Sequence, residues 1–297
     1  MIRTLPNTKR YLVGYKLAIS FYFALMFFPI IIVCVLAFND SIFTSLPWQG
    51  FTLDWFVGDG PEKIGFFNDS RNISGVIVSI KTAIFVSILT VGIGTLAAFL
   101  FEQEEFIGKK YLFFLFIAPL VVPGVILGIS ILSFTNSLSL FIEGIVGIEN
   151  STSTSLHMKI LMPGFWLVVL GQSTYITPYV TLVVMARLKK FDRTLEEAAY
   201  NLGANRFQVI YHITLRFLSP AMIAGGAVAF VLSFDNFNTT LFLVGSEPTM
   251  PITLFTQVRD GSTPVVNAIS VLIVAAVCIV AVFNLMYESR KAKKIHR

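Results

Sequence analysis

The feature that most constrains this 297-residue chain is a recurrence of long apolar stretches, each bounded by charge. A helix needs about 20 mostly apolar residues to cross a bilayer core about 30 Å thick. Six stretches qualify, near Leu17–Phe38, Val76–Phe101, Tyr111–Phe134, Phe165–Ala186, Phe217–Gly245 and Val265–Met286. Composition agrees. A soluble domain is about a quarter charged, whereas here 13% of residues are charged, 55% are hydrophobic and the mean hydropathy is +0.78. No room is left for a large soluble domain. The sequence predicts an all-α integral membrane protein with six transmembrane helices. Residues 1–16 form a short tail, 17–287 the membrane domain, and 288–297 a second, basic tail.

An even number of crossings puts both termini on one side, and charge says which. That side holds Arg3, Lys9, Arg10, Lys16, Lys109, Lys110, Arg187, Lys189, Lys190, Arg193, Arg206, Arg216 and the tail basics Arg290, Lys291, Lys293, Lys294 and Arg297. The other side holds only Lys63, Arg71, Lys159 and Arg259. Short cytoplasmic loops carry the Lys and Arg excess, so both termini and the 187–219 loop are expected in the cytoplasm. The net charge of +5 has the same cause. A basic tail beside a span is an orientation signal, not a nucleic-acid footprint. Cys34 and Cys278 both lie inside predicted spans and imply no disulfide framework. The first span is too long for a signal-peptide core and is expected to remain as an anchor.

Within this frame the polar residues stand out. The outer loop at 39–73 carries Trp48, Phe51, Trp55, Phe66 and Phe67, read as an interfacial segment in preference to a docking surface. Lys81 lies near the outer end of the second span, and snorkelling is favoured over a buried role. Gly92 and Gly94 allow close helix packing. In the third span Pro119 and Pro123, with Gly124 and Gly128, predict a kink, either lining a path or serving packing alone. Gln172, Ser173, Thr174, Thr177 and Pro178 in the fourth fit a subunit interface or a pore lining. The fifth holds Ser233, Asp235, Asn236, Asn238, Thr239 and Thr240. A carboxylate in a membrane is costly unless paired or hydrated. Asp235, with Asn236 and Asn238, is therefore the candidate for a translocation path. The alternative is that Asp235 bonds to neighbouring Asn, Ser and backbone, or sits near the outer surface.

Residues 187–219 form the longest charged, amphipathic passage. Thr194 reads as an N-cap, with Glu197 completing a T-x-x-E box. Leu195, Ala198, Ala199 and Leu202 form an apolar stripe. Gly203 follows as a left-handed helix stop. Asn205 caps again, with Gln208 in the reciprocal position. Phe207, Ile210, Tyr211 and Thr214 continue a second face, and Ser219-Pro220 reads as N-cap and first residue of the next span. Thr263-Pro264 reads the same way before the sixth.

Glu197-Ala198-Ala199, Gly203, Ile213 and Leu215 stand at the spacings of the EAA loop signature, and the passage resembles the permease subunits of binding-protein-dependent ABC importers. The family usually has Pro after that Leu; here it is Arg216. LSFDNFNTTLFLVG and MPITLFTQVRDGSTPVVNAIS are similar to the polyamine (spermidine/putrescine) group, with Asn236 and Val265 where that group usually has acids. The resemblance implies the type I ABC importer permease fold in a bacterial plasma (inner) membrane. It implies that Glu197, Ala198, Ala199, Gly203, Ile213 and Leu215 couple to an ATPase. The implied partners are a second related permease, as a heterodimer, an ATPase dimer and an extracytoplasmic solute-binding protein. ATP and Mg belong to the ATPase; this chain is expected to bind no cofactor.

The residues agree with a non-enzymatic role. The chain has no GxxxxGK[ST] phosphate loop, no metal-ligand spacing among His157, His212 and His296, and no catalytic constellation. The rival readings are a channel or secondary carrier needing no ATPase, a membrane enzyme, a scaffold, and an importer of another solute such as an opine or amino-acid derivative.

Overall fold

The computed structural model describes residues 9–44, 46–60, 63–146, 161–261 and 264–295. Among them every extended element is helical, and pairing of the β type is confined to two isolated bridges. The helices are α1 (Lys9–Leu36), α2 (Asp54–Val57), α3 (Ser70–Gln103), α4 (Lys109–Ile117), α5 (Gly124–Val146), α6 (Phe165–Leu188), α7 (Thr194–Asn201), α8 (Arg206–Val209), α9 (Leu215–Phe234), α10 (Thr240–Leu243), α11 (Met250–Gly261) and α12 (Val265–Ile295). Five described segments are long and apolar enough to cross a membrane: Leu12–Leu36, Ser70–Gln103, Gly124–Ile142, Phe165–Leu188 and Arg206–Phe234. The sixth expected crossing begins α12, whose described apolar stretch is Val265–Ile279. The contacts divide the chain into two compact units, residues 1–73 with 254–297, and residues 74–253.

In the first unit α1 packs along α12. The loop after α1 is a tight knot. Trp55 is buried, and its Nε1–H donates to the Asn39 carbonyl at 2.8 Å. Phe38 stacks on Phe51 and Phe56 at 5.4 and 5.2 Å. A Cβ on Gly65 would stand 2.6 Å from the Phe56 backbone, so only glycine fits there. The aromatics therefore divide. Trp48, Phe51 and Phe67 are exposed as an interfacial segment requires, but Trp55 is core. Asn72 is buried and accepts from Gln257 Nε2 at 2.8 Å.

In the second unit α6 is the central helix, with two thirds of its apolar window buried, and α9 is its main neighbour. Val86, Ile176, Val180, Val184, Leu188 and Leu218 belong to its core. Val180 is gripped from two sides. A Cβ on Gly94 of α3 or on Gly225 of α9 would each lie 3.1 Å from its Cγ1. Of the two glycines expected to allow close packing, Gly94 does so and Gly92 faces open space. The polar run of α6 mostly satisfies itself. Ser173, Thr177 and Thr181 each donate to the carbonyl four residues back.

Four expectations need correction. The third span is broken, not kinked. α4 ends at Ile117, a 3-10 turn covers Ala118–Leu120, and α5 starts afresh at Gly124. Two prolines within five residues remove two ladder donors and crowd two turns, more than one helix absorbs. The fifth span runs earlier than expected, as one helical rod from Arg206 to Phe234, and it ends at the polar residues placed inside it. Pro220 therefore lies within α9 rather than opening it. Proline removes the donor to the Arg216 carbonyl, and Ser219 Oγ replaces it at 3.0 Å. Thr194 is the first residue of α7 and not its cap; its N–H is taken by Asp192 Oδ1 at 3.0 Å. One element was not foreseen: the loop before the sixth span contains α11, whose Met250 N–H is capped by Ser79 Oγ at 2.8 Å. Thr263 and the Asn150–Ser155 stretch lie outside the described residues.

Candidate functional site

α9 stops at Phe234 because Asp235, Asn236 and Asn238 compete for backbone groups more effectively than they continue a helix. Asp235 N–H still bonds to Val231 O at 3.2 Å. Asn236 then turns its side chain inward. Its Oδ1 accepts from Thr239 N–H at 3.1 Å and from Thr240 Oγ1 at 3.4 Å, which starts α10. Asn236 is buried by this role, whereas Asp235 and Asn238 are exposed. Among the described residues the Asp235 carboxylate makes no hydrogen bond or ion pair.

The break in α9 meets the break before α5. A Cβ on Gly124 would stand 2.9 Å from Asn238 Cβ, and one on Gly128 would stand 2.8 Å from Thr239 O. These glycines let α5 begin directly against the 238–239 backbone. Beside them opens a cavity of about 620 Å³, lined by residues 120–124, Tyr175, Val231, Leu232 and residues 235–239. All three residues expected on a path, Asp235, Asn236 and Asn238, lie on its wall. Non-helical backbone at membrane depth is tolerated where it lines a hydrated cavity. The electrostatics favour a cation. Asp235 sits at the C-terminal, negative end of a helix, where a second negative charge is unfavourable unless neutralised. Tyr175 adds an aromatic side chain to the same wall. Sequence reading missed Tyr175; its place one turn beyond Gln172 on a polar helix was the available signal.

At the other end of the rod lies the hairpin of α7 and α8. α7 ends in a complete Schellman motif. Gly203, at φ +86°, donates its N–H to Tyr200 O at 2.9 Å, and Ala204 N–H reaches Ala199 O at 3.0 Å. Asn205 and Gln208 form the expected reciprocal capping box, both bonds at 2.9 Å. A π turn at Ile210–Thr214 joins α8 to α9. It shifts the register by one residue, so Phe207, Ile210, Tyr211 and Thr214 do not share one face. Phe207 and Tyr211 are exposed, while Thr214 is buried and donates to Glu196 Oε1 at 2.6 Å, tying the two arms together. Arg216 keeps the N–H that a proline there would lack, which lets the helix run on.

Arg187 anchors the hairpin base, its guanidinium 4.3 Å from the Phe217 ring. Ile213 packs onto the core, Leu215 and Ala199 are half-buried, and Glu197, Ala198 and Gly203 are exposed. The hairpin's apolar tips have no cover: Leu202 is 89% exposed and Phe207 79%. Asp192, whose Oδ1 accepts the first N–H of α7, has its carboxyl held below the usual range by its hydrogen bonding to Thr194.

One helix thus runs from an exposed amphipathic hairpin to a carboxylate on a cavity wall, an arrangement in keeping with a membrane permease. The chain belongs to the family of binding-protein-dependent transport system inner membrane components, whose model matches residues 90–290. It is 32% identical over 274 residues to the putrescine transport system permease protein PotI of Escherichia coli K12, covering 92% of this chain and 89% of that protein. It is 30% identical over 266 residues to the spermidine/putrescine transport system permease protein PotC of Haemophilus influenzae, covering 89% and 92%. The fold matches a chain of a bacterial alginate ABC transporter in complex with alginate pentasaccharide-bound periplasmic protein. The TM-score there is 0.69 at 16% identity, over 92% of each chain. A second alginate-transporter chain matches with a TM-score of 0.61 at 11% identity, over 96% of this chain and 98% of that one. The chain is thus the permease subunit of an ATP-driven importer. It is not an enzyme, since ATP hydrolysis in this family is carried by a separate subunit.

Proposed function

We propose that this permease carries a small organic cation of the polyamine class inward past Asp235. The observation that carries the reading is the continuity of one helix, Arg206–Phe234, from the exposed hairpin to the carboxylate on the cavity wall. The named relatives transport putrescine and spermidine. An unpaired carboxylate at a helix C-terminus, beside a tyrosine ring, is chemistry suited to an ammonium group. Asn236 and Val265 stand where the polyamine group usually has acids, and they favour a second reading: a solute of the same kind with fewer positive charges.

In the proposed assembly both termini and the hairpin face the cytoplasm. A second, related permease completes the path, as a heterodimer, and an ATPase pair binding ATP and Mg grips both hairpins. Glu197, Ala198, Ala199 and Gly203 form the docking side of this one, with Ile213 and Leu215 seating it on the core. An extracytoplasmic binding protein delivers the solute. ATP and that protein shift the inward-open and outward-open states only in so far as each prefers one of them.

The test is Asp235→Asn in the assembled importer, reconstituted in proteoliposomes, with uptake of labelled putrescine. A charge-assisted contact is worth about 1.5–3 kcal/mol, so the uptake KM should rise about 10-fold or more. ATPase co-purification should be unchanged. Unaltered uptake at every pH would remove Asp235 from the path.

A further inference from the structure

We propose that Gln172 is the positioning residue of the translocation site: its side chain clamps the two ends of the α9 break and so sets where Asp235 stands on the cavity wall. This rests on the reading of that cavity as the solute path.

Gln172 lies on α6, is 0% exposed, and is the member of its polar run that reaches across to another helix with a pair of bonds. Its Oε1 accepts from Ser233 Oγ, in the last turn of α9. Its Nε2 donates to Thr240 Oγ1 at 2.7 Å, in the first turn of α10. Thr240 Oγ1 in turn donates a hydrogen bond to Asn236 Oδ1, which also accepts from Thr239 N–H. One amide therefore bridges the gap on whose near side Asp235 sits, two residues after Ser233. The helical ladder that would otherwise fix this separation is missing across the break. The neighbouring residue fixes the distance of approach. A Cβ on Gly171 would stand 2.2 Å from Leu243 Cδ1, so α6 lies directly on α10. Tyr175, one turn further along α6, brings the same helix to the cavity wall. α6 thus supplies both a wall of the cavity and the fastening of its carboxylate.

A buried amide with two partners also serves stability alone, and the test must separate the roles. Replacing all three polar groups with apolar ones of similar shape leaves nothing buried and unsatisfied, and such a swap is close to neutral for folding. The triple variant Gln172→Leu, Ser233→Ala, Thr240→Val should therefore assemble with its partners at the wild-type level. Its uptake KM for labelled putrescine should rise about 10-fold, with maximal rate within about 2-fold, since two interhelical polar bonds are lost at about 3-fold each on average. Because the clamp acts through Asp235, adding Asp235→Asn should raise KM no further than Asp235→Asn does alone. Should the triple variant fail to assemble, Ser233→Ala and Thr240→Val singly each cut one arm, and about a 3-fold rise is expected from each. A wild-type KM in the assembled triple variant, or in both single variants, overturns the proposal; so does an effect that adds to that of Asp235→Asn. If Asp235→Asn alone leaves uptake unchanged, the path reading falls first and takes the clamp with it.

Discussion

Replacing Gly203 isolates one physical quantity. At φ +86° the residue is left-handed, and a Cβ built there meets nothing within 4 Å. Any penalty in the permease is therefore backbone strain, not collision. For an ordinary L-residue the left-handed conformation costs about 1–2 kcal/mol, and Asn bears it more easily than most. The alternative is to leave that conformation, which gives up the bonds from Gly203 to Tyr200 and from Ala204 to Ala199. A change of one to two kcal/mol alters an equilibrium about 5- to 30-fold. The turn proposed to dock the ATPase should thus become scarcer in the order Gly, Asn, Ala, Val. The assay is retention of the ATPase pair on affinity-purified permease, read beside ATP-dependent putrescine uptake. Gly203→Asn should keep most of both, Gly203→Ala should weaken retention several-fold, and Gly203→Val should abolish it. If Asn and Ala behave alike and both match wild type, the left-handed turn does not shape the docking surface. If both fail equally, space at the ATPase interface matters and strain does not.

Three further perturbations probe the scaffold. Thr214→Val should strand Glu196 and loosen the hairpin arms by about 1–3 kcal/mol, seen as faster amide exchange across residues 195–201 with the core unaffected. The lowered carboxyl of Asp192 gives a pH signature. A depressed folded pKa stabilises above the unfolded pKa, and that gain is lost as pH falls through the folded value. The first turn of α7 should therefore hold through neutral and mildly acidic pH and fray only in stronger acid. Asp192→Asn should remove that acid dependence in amide exchange at Thr194. Gly225→Ala should overpack Val180 at a cost of about 1–3 kcal/mol, measured as reduced thermal stability in detergent, and Val180→Ala should restore it.

Where the sequence pattern was local, it was legible. The Asn205–Gln208 box and the Gly203 stop depend on neighbours within four residues, and both form as their spacing predicts. The crossings at Phe165–Leu188 and Ser70–Gln103 likewise follow from apolar length. The failures have three causes: a rival neighbour, a distant partner and a register change. Asp192 takes the Thr194 N–H on its Oδ1, so Thr194 becomes the first helical residue and not the cap. α11 is capped by Ser79, far away in the chain. The π turn moved Thr214 inward to meet Glu196, which no 3.6-residue count foresees. Asp235, the candidate for a path, lies on a cavity wall, but hydropathy placed it inside a helix, whereas the helix ends there. The apolar count runs on past the break because Phe237 and Leu241 are as oily as what precedes them.

That misplacement bears on how such a permease responds to its motor. A helix spanning Arg206–Phe234 is 29 residues long, and at 1.5 Å per residue it extends about 43 Å, more than a bilayer core needs. Had Asp235 been mid-helix, a push on the hairpin would have carried the carboxylate along with both of its neighbours, leaving the local geometry unchanged. Placed at the helix terminus, it moves with the rod, while α10 is packed by Leu243 onto α6. If the hairpin is pushed as proposed, displacement of the rod becomes strain across residues 235–239, the segment that lines the cavity. In the proposed importer the break turns a rigid-body motion into a change in how the carboxylate faces the solute. An unbroken fifth helix, with residues 235–239 replaced by alanine and leucine, should still assemble with the ATPase. It should still hydrolyse ATP and yet move no solute, which separates the motor from its cargo; continued uptake by that variant would refute the readout.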